Sequence, residues 1–582
     1  MDKNALVEIF EEMATMLELR GENPFKSRAY RNGARALQSV EQSLDELISS
    51  GGIDKVKGLG KALKEKAAEA LETGEVAAHR ELRASTPEGL FDMLDTPGLG
   101  AKKVQAIYQQ LGIETLDALE TACHDGRIEK LSGFGKKTAE KILQGIEFRR
   151  ANASRFRLDV ATSLAEEILS ALRTHPDTLR CAIAGSLRRS KETVGDLDFI
   201  VSSREPDAIM DGFASLDRVR SVELRGPTKM SVILEGGLQA DLRVVDDAAF
   251  PFAWHYFTGS KEHNIVMRQR ALERGLRLSE YGLFPKDQES DDRTHGLVCR
   301  DERELFEALD LDFIPPELRE DEEEFSAAEE RRLPRLIEWT QLKGSLHNHS
   351  NWSDGAESLE EIARYMIDLG LEYWAITDHS KSSFQANGLD ESRLERQLES
   401  IGEWNQRLED EGESFRFLSG IEVDILSNGG LDFSDELLSR LDIVVASVHS
   451  GFTQSEKEMT RRIVRAIERK PVRILGHPTG RLLLERDPYA VDMRAVIDAC
   501  AGASVWIELN ASPYRMDMDW RLWRYAKSKG VRCAINVDAH RNAHAGHLKL
   551  GAGLARKGWL TRDDVVNCEP LESLMRMLDS EA

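Results

Sequence analysis

Closely spaced acidic residues after a glycine turn mark the middle of the chain as a candidate site of chemistry. In AGSLRRSKETVGDLDFIV, Asp196 and Asp198 are two residues apart, and alternation along a strand places both carboxylates on one face. Asp241, in the strand-like segment ADLRVV, supplies a third carboxylate. Three converging carboxylates can hold two Mg²⁺ or Mn²⁺ ions that activate a hydroxyl and neutralise a leaving phosphate. The spacing predicts a two-metal phosphoryl-transfer site, in which Asp241 can also accept the hydroxyl proton.

The turn before the aspartates indicates phosphate binding. Gly185 and Ser186 offer backbone and hydroxyl donors, and Arg189 can form charge-assisted hydrogen bonds to phosphate oxygens. A Gly-Ser pair followed by GDLD resembles the shared motif of the nucleotidyltransferase superfamily. The alternative, two aspartates on an ordinary turn, does not account for the whole pattern.

A second group of metal-binding residue types follows residue 340. Histidines and carboxylates stand where apolar strand-like segments end, and in α/β folds such ends share one edge. Imidazole with carboxylate suits Mn²⁺, Zn²⁺ or Fe²⁺, and clustered ions generate hydroxide for the cleavage of phosphate esters. Arg481 is a further candidate for holding phosphate. The candidate ligands are His347, His349, Asp354, His379, Glu422, His449, His477, Asp538 and His540.

Three Gly-x-Gly turns in the amino-terminal part indicate contact with a nucleic-acid backbone. Each turn stands between two helical segments and is followed by lysine. Glycine permits close approach of another chain, and the next helix offers unpaired N–H groups to an anion. This helix-hairpin-helix arrangement binds DNA phosphates without reading bases, whereas the alternative is plain helical turns. The residues are Gly58, Gly60, Gly98, Gly100, Lys102, Gly133, Gly135 and Lys136.

The elements that must position these residues fall into several domains. Residues 1–150 have the pattern of short helices, and apolar strand-like segments follow between 181 and 245. The stretch 318–332, LREDEEEFSAAEERR, is dense in like charge and predicts an exposed linker helix. Beyond it, segments such as YWAITDH, DIVVASVH and VRCAINVDAH alternate with helical stretches, as in a parallel α/β barrel.

Charge, cysteine content and hydropathy narrow the class of protein. The 582 residues carry a formal net charge of −24, but residues 1–157 hold 24 basic and 25 acidic residues, a net of −1. The amino-terminal quarter is therefore the part least repulsive to a polyanion. Six cysteines without a CxxC pair indicate a cytoplasmic protein without disulfides. No apolar run of about 18 residues is present, so we expect no membrane span.

The segment WHYFTGSKEHNIVMRQRAL, from Trp254, resembles the thumb of family X DNA polymerases. In that family an aromatic pair excludes a ribose 2′-hydroxyl, an asparagine contacts the incoming base and an arginine contacts the template. Lys261 departs from the acidic or small residue usual there, which leaves nucleotide affinity and fidelity open. The resemblance implies roles at the nucleotide for Tyr256, Phe257, Gly259 and Asn264, and a template contact for Arg268.

The first 80 residues resemble the lyase domain of DNA polymerase beta. The segments concerned are NPFKSRAYRNGARAL and GLGKALKEKAAEALETGE. The resemblance implies that Lys66 forms the Schiff base of a 5′-deoxyribose-phosphate lyase, with Lys26 and Tyr30 as pocket companions. The alternative is that Lys66 only contacts the 5′-phosphate of a gap.

The histidine and carboxylate positions after residue 340 resemble the PHP (polymerase and histidinol phosphatase) family, residue for residue. The resemblance implies a distorted seven-stranded (β/α)₇ barrel with a cluster of two to three Mn²⁺, Zn²⁺ or Fe²⁺ ions. Some PHP domains are inactive scaffolds, but these usually lack ligands. The complete set here favours hydrolysis.

The order of the segments resembles that of bacterial family X polymerases. It implies six parts: a lyase-like helical domain over 1–80, helix-hairpin-helix fingers over 81–157, an α+β palm over 158–250, a thumb over 251–317, an acidic linker over 318–340 and a PHP barrel over 341–582. The implied function is gap filling in DNA base excision repair, with 3′–5′ exonuclease or abasic-site endonuclease activity. The implied partners of this cytoplasmic monomer are gapped or nicked double-stranded DNA and deoxynucleoside triphosphates. The alternatives are a PHP-type small-molecule phosphatase with a degenerate polymerase half and a DNA-end-binding scaffold.

Overall fold

The computed structural model describes residues 3–38, 40, 42–287, 295–320 and 323–580. The chain divides into two compact units, Met1–Ala153 and Ser154–Ala582. Among the described helices, none combines the length and apolar character needed to cross a bilayer.

The first unit is built from helices around two apolar cores. One core gathers residues between Leu6 and Leu82, and the other is formed by Leu19 with residues between Leu90 and Ile146. The Gly-x-Gly turns lie directly before the fourth, seventh and ninth helices. The described helices are α1 Lys3–Leu19, α2 Pro24–Gln38, α3 Leu44–Ser49, α4 Lys61–Thr73, α5 Ala77–Ala84, α6 Glu88–Leu94, α7 Ala101–Leu111, α8 Leu116–His124 and α9 Lys136–Asn152, with 3-10 turns at Gly52–Lys55 and Ile128–Lys130.

The second unit opens with an α+β palm, as expected from the sequence. Its sheet has the order β2-β4-β7-β6-β5, in which β4 and β7 are parallel and the other neighbours antiparallel. A short antiparallel pair joins β1 to β3. The strands are β1 Phe156–Arg157, β2 Arg180–Ile183, β3 Thr193–Val194, β4 Asp196–Ser202, β5 Val219–Arg225, β6 Lys229–Leu234 and β7 Gln239–Val245, with helices α10 Leu158–Thr174, α11 Gly185–Arg188 and α12 Pro206–Ala214.

The thumb that follows extends through the acidic stretch. The expectation of an exposed linker helix over 318–332 is wrong for part of this stretch, since Arg319 and Glu324 are fully buried, whereas Glu323, Ser326 and residues 329–332 are exposed. Each is paired: Arg319 Nη1 lies 2.8 Å from Glu302 Oε1, and Glu324 Oε1 lies 3.1 Å from His263 Nδ1. Residues 321 and 322 lie outside the described residues. The elements are α13 Phe250–Thr258, α14 Lys261–Glu273, β8 Leu276–Ser279, β9 Gly282–Pro285, α15 Glu302–Ala308 and α16 Glu324–Glu329.

The expected seven-stranded parallel barrel forms the rest of this unit and is nearly closed. Past the first and last strands, Asn348 and Ala539 form a parallel bridge, and the Asp538 N–H donates to the His347 carbonyl at 3.1 Å. The strands, neighbours in chain order, are β10 Gly344–Ser345, β11 Tyr373–Ile376, β12 Arg416–Asp424, β13 Ile443–Ser447, β14 Ile474–Leu475, β15 Trp506–Asn510 and β16 Cys533–Asn536. The helices are α17 Leu359–Asp368, α18 Glu391–Glu411, α19 Asp435–Leu438, α20 Glu456–Ile467, α21 Met493–Ala503, α22 Trp523–Ser528, α23 Leu548–Lys557 and α24 Leu571–Ser580.

The two ends of the barrel strands differ in polarity. Near the strand starts, an apolar cluster includes Tyr373, Ile443 and Trp506, and α24 packs against it through Leu574 and Leu578. Side chains alternate along a strand, so the same faces become polar further on, at Glu422 of β12 and Glu508 of β15. Polar groups therefore collect at the carboxyl ends of the strands.

A buried ionic cluster joins the barrel directly to the palm and thumb. Lys557 of α23 is fully buried, and its Nζ lies 2.6 Å from Glu320 Oε1 and 3.0 Å from the Arg189 carbonyl oxygen. Glu320 also pairs with Arg189 Nε at 3.1 Å and with Lys191 Nζ at 2.9 Å. The barrel is thus packed against the palm, and an extended tether does not separate them.

Candidate active sites

The three predicted palm carboxylates converge on one face of the sheet. Parallel pairing of β4 with β7 sets Asp198 opposite Asp241, and Asp196 shares the face of Asp198. Gly185 has φ +64°, and a Cβ there would lie 2.0 Å from Asp198 Oδ2. The glycine of the Gly-Ser turn is therefore required by both its backbone conformation and the close approach of the carboxylate.

Protein cations only partly compensate the negative charge of the three carboxylates, and this shifts the pKa values of the group. Burial, reinforced by Asp196 and Asp241, raises the pKa of Asp198 to about 7. Burial and Asp241 also raise the pKa of Asp196. Burial opposes ionisation of Asp241 too, but hydrogen bonds, including one from Lys229 Nζ at 2.8 Å, lower its pKa overall. Carboxylates gathered with too few protein cations fit a site for divalent ions.

The predicted phosphate-binding residues surround the same turn. Ser186 lies in α11, which begins at Gly185 and follows β2. The Arg189 guanidinium donates to the Thr258 carbonyl and pairs with Glu320 at 3.1 Å. Arg189 is therefore beside the site but must exchange a protein partner to bind a triphosphate.

The residues assigned to nucleotide selection lie at the junction of α13 and α14. Tyr256 and Phe257 pack edge to face with ring centroids 5.2 Å apart. Gly259 follows, and a Cβ there would lie 3.2 Å from Arg189 Nη1. Asn264 is buried, and its Nδ2 donates to the Tyr256 carbonyl at 2.7 Å, so this amide holds the aromatic turn. Arg268 is exposed on α14, where a template can reach it.

The three hairpin turns share one backbone geometry. Gly58, Gly98 and Gly133 have φ of +94°, +87° and +84°. Gly60, Gly100 and Gly135 are the N-caps of α4, α7 and α9, and as glycines they supply no side-chain acceptor to the first N–H groups of these helices. Lys102 and Lys136 are exposed in the first turns of α7 and α9. Unsatisfied N–H groups beside exposed lysines suit phosphate binding.

The residues implied in lyase chemistry are only partly assembled. Lys26 and Tyr30 line a cavity of about 260 Å³, where burial raises the pKa of the Tyr30 hydroxyl. Tyr30 packs edge-on against Phe10, with ring centroids 5.7 Å apart. The described residues that line this cavity do not include Lys66, which is half-buried on α4.

All nine predicted ligands of the barrel come together at the carboxyl ends of its strands. They form four overlapping groups, and within each group the ligand atoms lie within 4.8 Å of one another. His347 is shared by two groups, as are His349, His379 and Glu422. The groups are His349–Asp354–His379–His540, His347–Glu422–His477, His347–His349–Asp538 and His379–Glu422–His449.

The surroundings of these side chains fit a cluster of metal ions. His347 Nε2 and His349 Nδ1 are buried without a hydrogen-bond partner among the described residues. On its other nitrogen, His347 Nδ1 lies 2.7 Å from Glu508 Oε1, the outer hydrogen bond that orients metal-bound imidazoles. His449 Nδ1 has the equivalent partner in Asp424 Oδ1 at 3.1 Å. The unpartnered nitrogens lie near carboxylates of the same groups, His347 Nε2 at 3.3 Å from Glu422 Oε1 and His349 Nδ1 at 4.0 Å from Asp354 Oδ1, and a cation could bridge each pair.

The pKa values of the imidazoles are shifted in opposite directions. Burial and the neighbouring His540 and His379 lower the pKa of His349 to about 3, which keeps this imidazole neutral as a ligand requires. Burial disfavours the charged form of His449 as well, but Glu422 and Asp424 raise its pKa to about 10. An acidic pocket that retains protons in this way also attracts metal cations.

An open cleft of about 910 Å³ lies over the ligands and contains a cation that the sequence did not reveal. Arg515 lines the cleft, with Nε 3.3 Å from Asp538 Oδ2. Arg481, the predicted phosphate ligand, instead donates to the backbone carbonyls of Arg515 and Met516. Its position therefore does not support that role, and Arg515 is the better placed cation.

Models of four known domains match this chain. They are a helix-hairpin-helix domain over residues 1–76, a SAM-like helix-hairpin-helix tandem over 90–147, the DNA polymerase beta thumb over 253–320 and the PHP domain over 345–512. The thumb match reaches into the acidic stretch, in agreement with the burial of Arg319.

Several known proteins are similar to the chain. It is 39% identical over 580 residues to the DNA polymerase/3′-5′ exonuclease PolX of Bacillus subtilis (strain 168), covering 99% of each protein. It is 28% identical to a probable phosphatase of Thermoanaerobacter sp. (strain X514), over 38% of this chain and 89% of that one. DNA polymerase lambda of Rattus norvegicus is 26% identical over 48% of each protein. A solved ternary complex of Leishmania infantum polymerase beta matches 40% of this chain and 100% of its own at 20% identity, with a TM-score of 0.27.

Proposed function

Because the chain belongs to the PolX family of DNA polymerase/3′-5′ exonucleases, we propose that it extends DNA at the palm carboxylates and trims 3′ ends at the barrel. The observation that carries this proposal is the completeness of both centres. Asp198 stands opposite Asp241 in the palm, and all nine barrel ligands fall into contiguous groups.

In the polymerase reaction, we assign Asp196, Asp198 and Asp241 to the binding of two Mg²⁺ or Mn²⁺ ions. When bound, these ions supply charge neutralisation at the triphosphate and activation of the primer 3′-hydroxyl. We assign Asp241, which lies opposite Asp198 on the neighbouring strand, as the acceptor of the hydroxyl proton. Ser186 and Arg189 orient the phosphates, and Arg189 must release Thr258 or Glu320 to do so.

In the exonuclease reaction, the nine barrel side chains would hold two to three Mn²⁺, Zn²⁺ or Fe²⁺ ions. Such a cluster supplies a hydroxide at neutral pH. Glu508 and Asp424 fix the orientation of His347 and His449. Arg515 neutralises the scissile phosphate from the wall of the cleft. Cleavage at abasic sites would use the same groups.

The DNA partner that fits the chain best is a gapped or nicked duplex. The three hairpins supply phosphate contacts without base recognition, and their unit carries little net charge. We infer a monomer that works in the cytoplasm, where its six unpaired cysteines stay reduced. Lyase activity at Lys66 stays a prediction.

The alternative of a small-molecule phosphatase accounts for the barrel alone. The similarity to a probable phosphatase covers 38% of the chain, whereas the similarity to PolX covers 99%. A scaffold without catalysis would not require nine converging ligands. Both alternatives leave the geometry of the palm carboxylates unexplained.

A gapped duplex with a 5′-labelled primer tests the proposal. With Mn²⁺ and deoxynucleoside triphosphates we expect the primer to lengthen, and with Mn²⁺ alone we expect it to shorten from the 3′ end. A primer ending in a dideoxynucleotide is the matched control. It has no 3′-hydroxyl, so it cannot be extended until trimming removes that nucleotide. Release of phosphate from small monoesters, with the primer unchanged under both conditions, would favour the phosphatase instead.

A further inference from the structure

A strongly exposed aromatic ring lies at the cleft above the barrel ligands. Phe384 is 88% exposed, and it lines the same cavity as His449, Asp538 and Arg515. Single exposed apolar side chains are common on protein surfaces. This ring, however, borders a cavity whose other lining residues are mostly polar or candidate metal ligands.

The loop that carries Phe384 is fixed by hydrogen bonds on both sides of the ring. Before it, the Ser382 N–H and hydroxyl donate to Asp432 at 2.6 and 2.7 Å. After it, Asn387 Nδ2 donates to the Trp352 carbonyl at 3.3 Å. A loop held at both ends limits the positions available to the ring.

A further hydrogen bond connects the loop to the barrel ligands. Ser383, next to the ring, donates through Oγ to Asp424 Oδ2 at 2.7 Å. Asp424 Oδ1 lies 3.1 Å from His449 Nδ1. Phe384 is therefore positioned relative to the metal ligands through a short chain of side chains.

The cleft combines three kinds of group that together match a nucleotide. Metal ligands and Arg515 suit the phosphodiester, and an aromatic face suits the planar base. Base–aromatic stacking accepts every base, as trimming of any sequence requires. A small phosphomonoester without a ring system would have no use for an exposed phenyl group at this position.

We propose that Phe384 stacks on the base of the 3′-terminal nucleotide and so selects DNA ends for the exonuclease. The inference rests on the proposed exonuclease function. Phe384 acts on the base, not on the reacting phosphate, so its effect must depend on the presence of that base.

The test compares two single-stranded oligonucleotides that differ only in whether the 3′-terminal nucleotide has a base. For Phe384→Ala we expect kcat/KM on the normal end to fall about tenfold, in the range of one lost stacking contact. On the abasic end, wild type and variant should be equal. Phe384→Trp should restore the rate on the normal end, whereas Phe384→Leu should not. Tyr365→Ala, which removes an aromatic ring on α17 outside the cleft, is the control and should match wild type.

A binding measurement separates stacking from turnover. With 2-aminopurine as the terminal base and a cleavage-resistant phosphorothioate linkage, wild type should change the fluorescence on binding and Phe384→Ala should not. Equal losses by Phe384→Ala on normal and abasic ends, or no loss on either, would overturn the proposal. Failure of wild type to trim both oligonucleotides would instead reject the exonuclease function itself.

Discussion

Glu508 is a buried side chain that orients His347 in the candidate metal centre. Its Oε1 lies 2.7 Å from His347 Nδ1 and 3.0 Å from Asn536 Nδ2, and its Oε2 accepts the His477 N–H at 2.6 Å. Both oxygens therefore face donors, so a group that accepts at both ends is required. This arrangement fixes the tautomer and the direction of the ligand nitrogen of His347.

Glu508→Gln should lower the affinity of the barrel for metal about 10- to 100-fold. Either orientation of the new amide sets an NH₂ group against a donor, Asn536 Nδ2 at one oxygen position or the His477 N–H at the other, so the support of either His347 or His477 is disturbed. Metal content after dialysis against buffered Mn²⁺ measures the effect. Glu569→Gln, which changes a carboxylate paired with Arg532 at 3.1 Å in the same domain, is the control. Unchanged metal content in Glu508→Gln would contradict the orienting role.

At the scale of single residues, the sequence indicates the candidate metal ligands more readily than the residues that orient them. Each of the nine candidate ligands occurs in a motif at a strand end, so the sequence alone predicts that they come together. Glu508 lies inside the strand segment SVWIELN, and only the closure of the barrel brings it to His347. Asp424, two residues after Glu422 on β12, could have been suspected from alternation, whereas Arg515 gave no local signal.

At the scale of elements, the three hairpin turns form where the local sequence pattern predicts them. In each, a glycine with positive φ is followed by a glycine at the N-cap, so the helix begins where the pattern predicts. The acidic stretch after residue 317, in contrast, does not have the structure that its local sequence predicts. Two of its charged side chains, Arg319 and Glu324, are buried against partners elsewhere in the thumb, Glu302 and His263, and charge density alone does not predict this pairing.

Replacing Lys102 and Lys136 together by alanine should weaken DNA binding and flatten its dependence on salt. Each lysine that neutralises a phosphate contributes about 0.9 to the slope of log K against log salt concentration, so the slope should fall by about 1.8. Fluorescence anisotropy with a gapped duplex at several salt concentrations gives the slope. The double variant Lys457→Ala, Lys470→Ala removes two exposed lysines of the barrel domain as a control. Equal slopes in the hairpin variant and wild type would remove these helices from the DNA interface.

At the scale of the second unit, the buried ionic cluster around Lys557 joins the barrel to the palm and thumb. Lys557 is buried against Glu320 and Arg189, and burial lowers its pKa to about 8 although Glu320 opposes the shift. Lys557→Met should reduce the free energy of unfolding by about 2 kcal/mol, because the Arg189 carbonyl and Glu320 lose a buried charged donor, although Glu320 keeps Arg189 and Lys191. Urea denaturation followed by tryptophan fluorescence measures the change. Lys549→Met, an exposed position on the same helix, is the control, and an equal midpoint in both variants would contradict the role of the junction.

The central claim is that two separate centres on this chain perform two reactions on DNA. Asp198→Asn replaces one carboxylate of the palm triad, and His347→Ala removes a candidate ligand shared by two groups in the barrel. Primer extension and 3′ trimming should be measured for both variants on the same gapped duplex, with binding checked by gel shift. We predict that Asp198→Asn loses extension by several orders of magnitude and keeps trimming, and that His347→Ala does the reverse. Loss of both activities in a folded, DNA-bound His347→Ala protein would mean that one centre serves both reactions and would contradict the account.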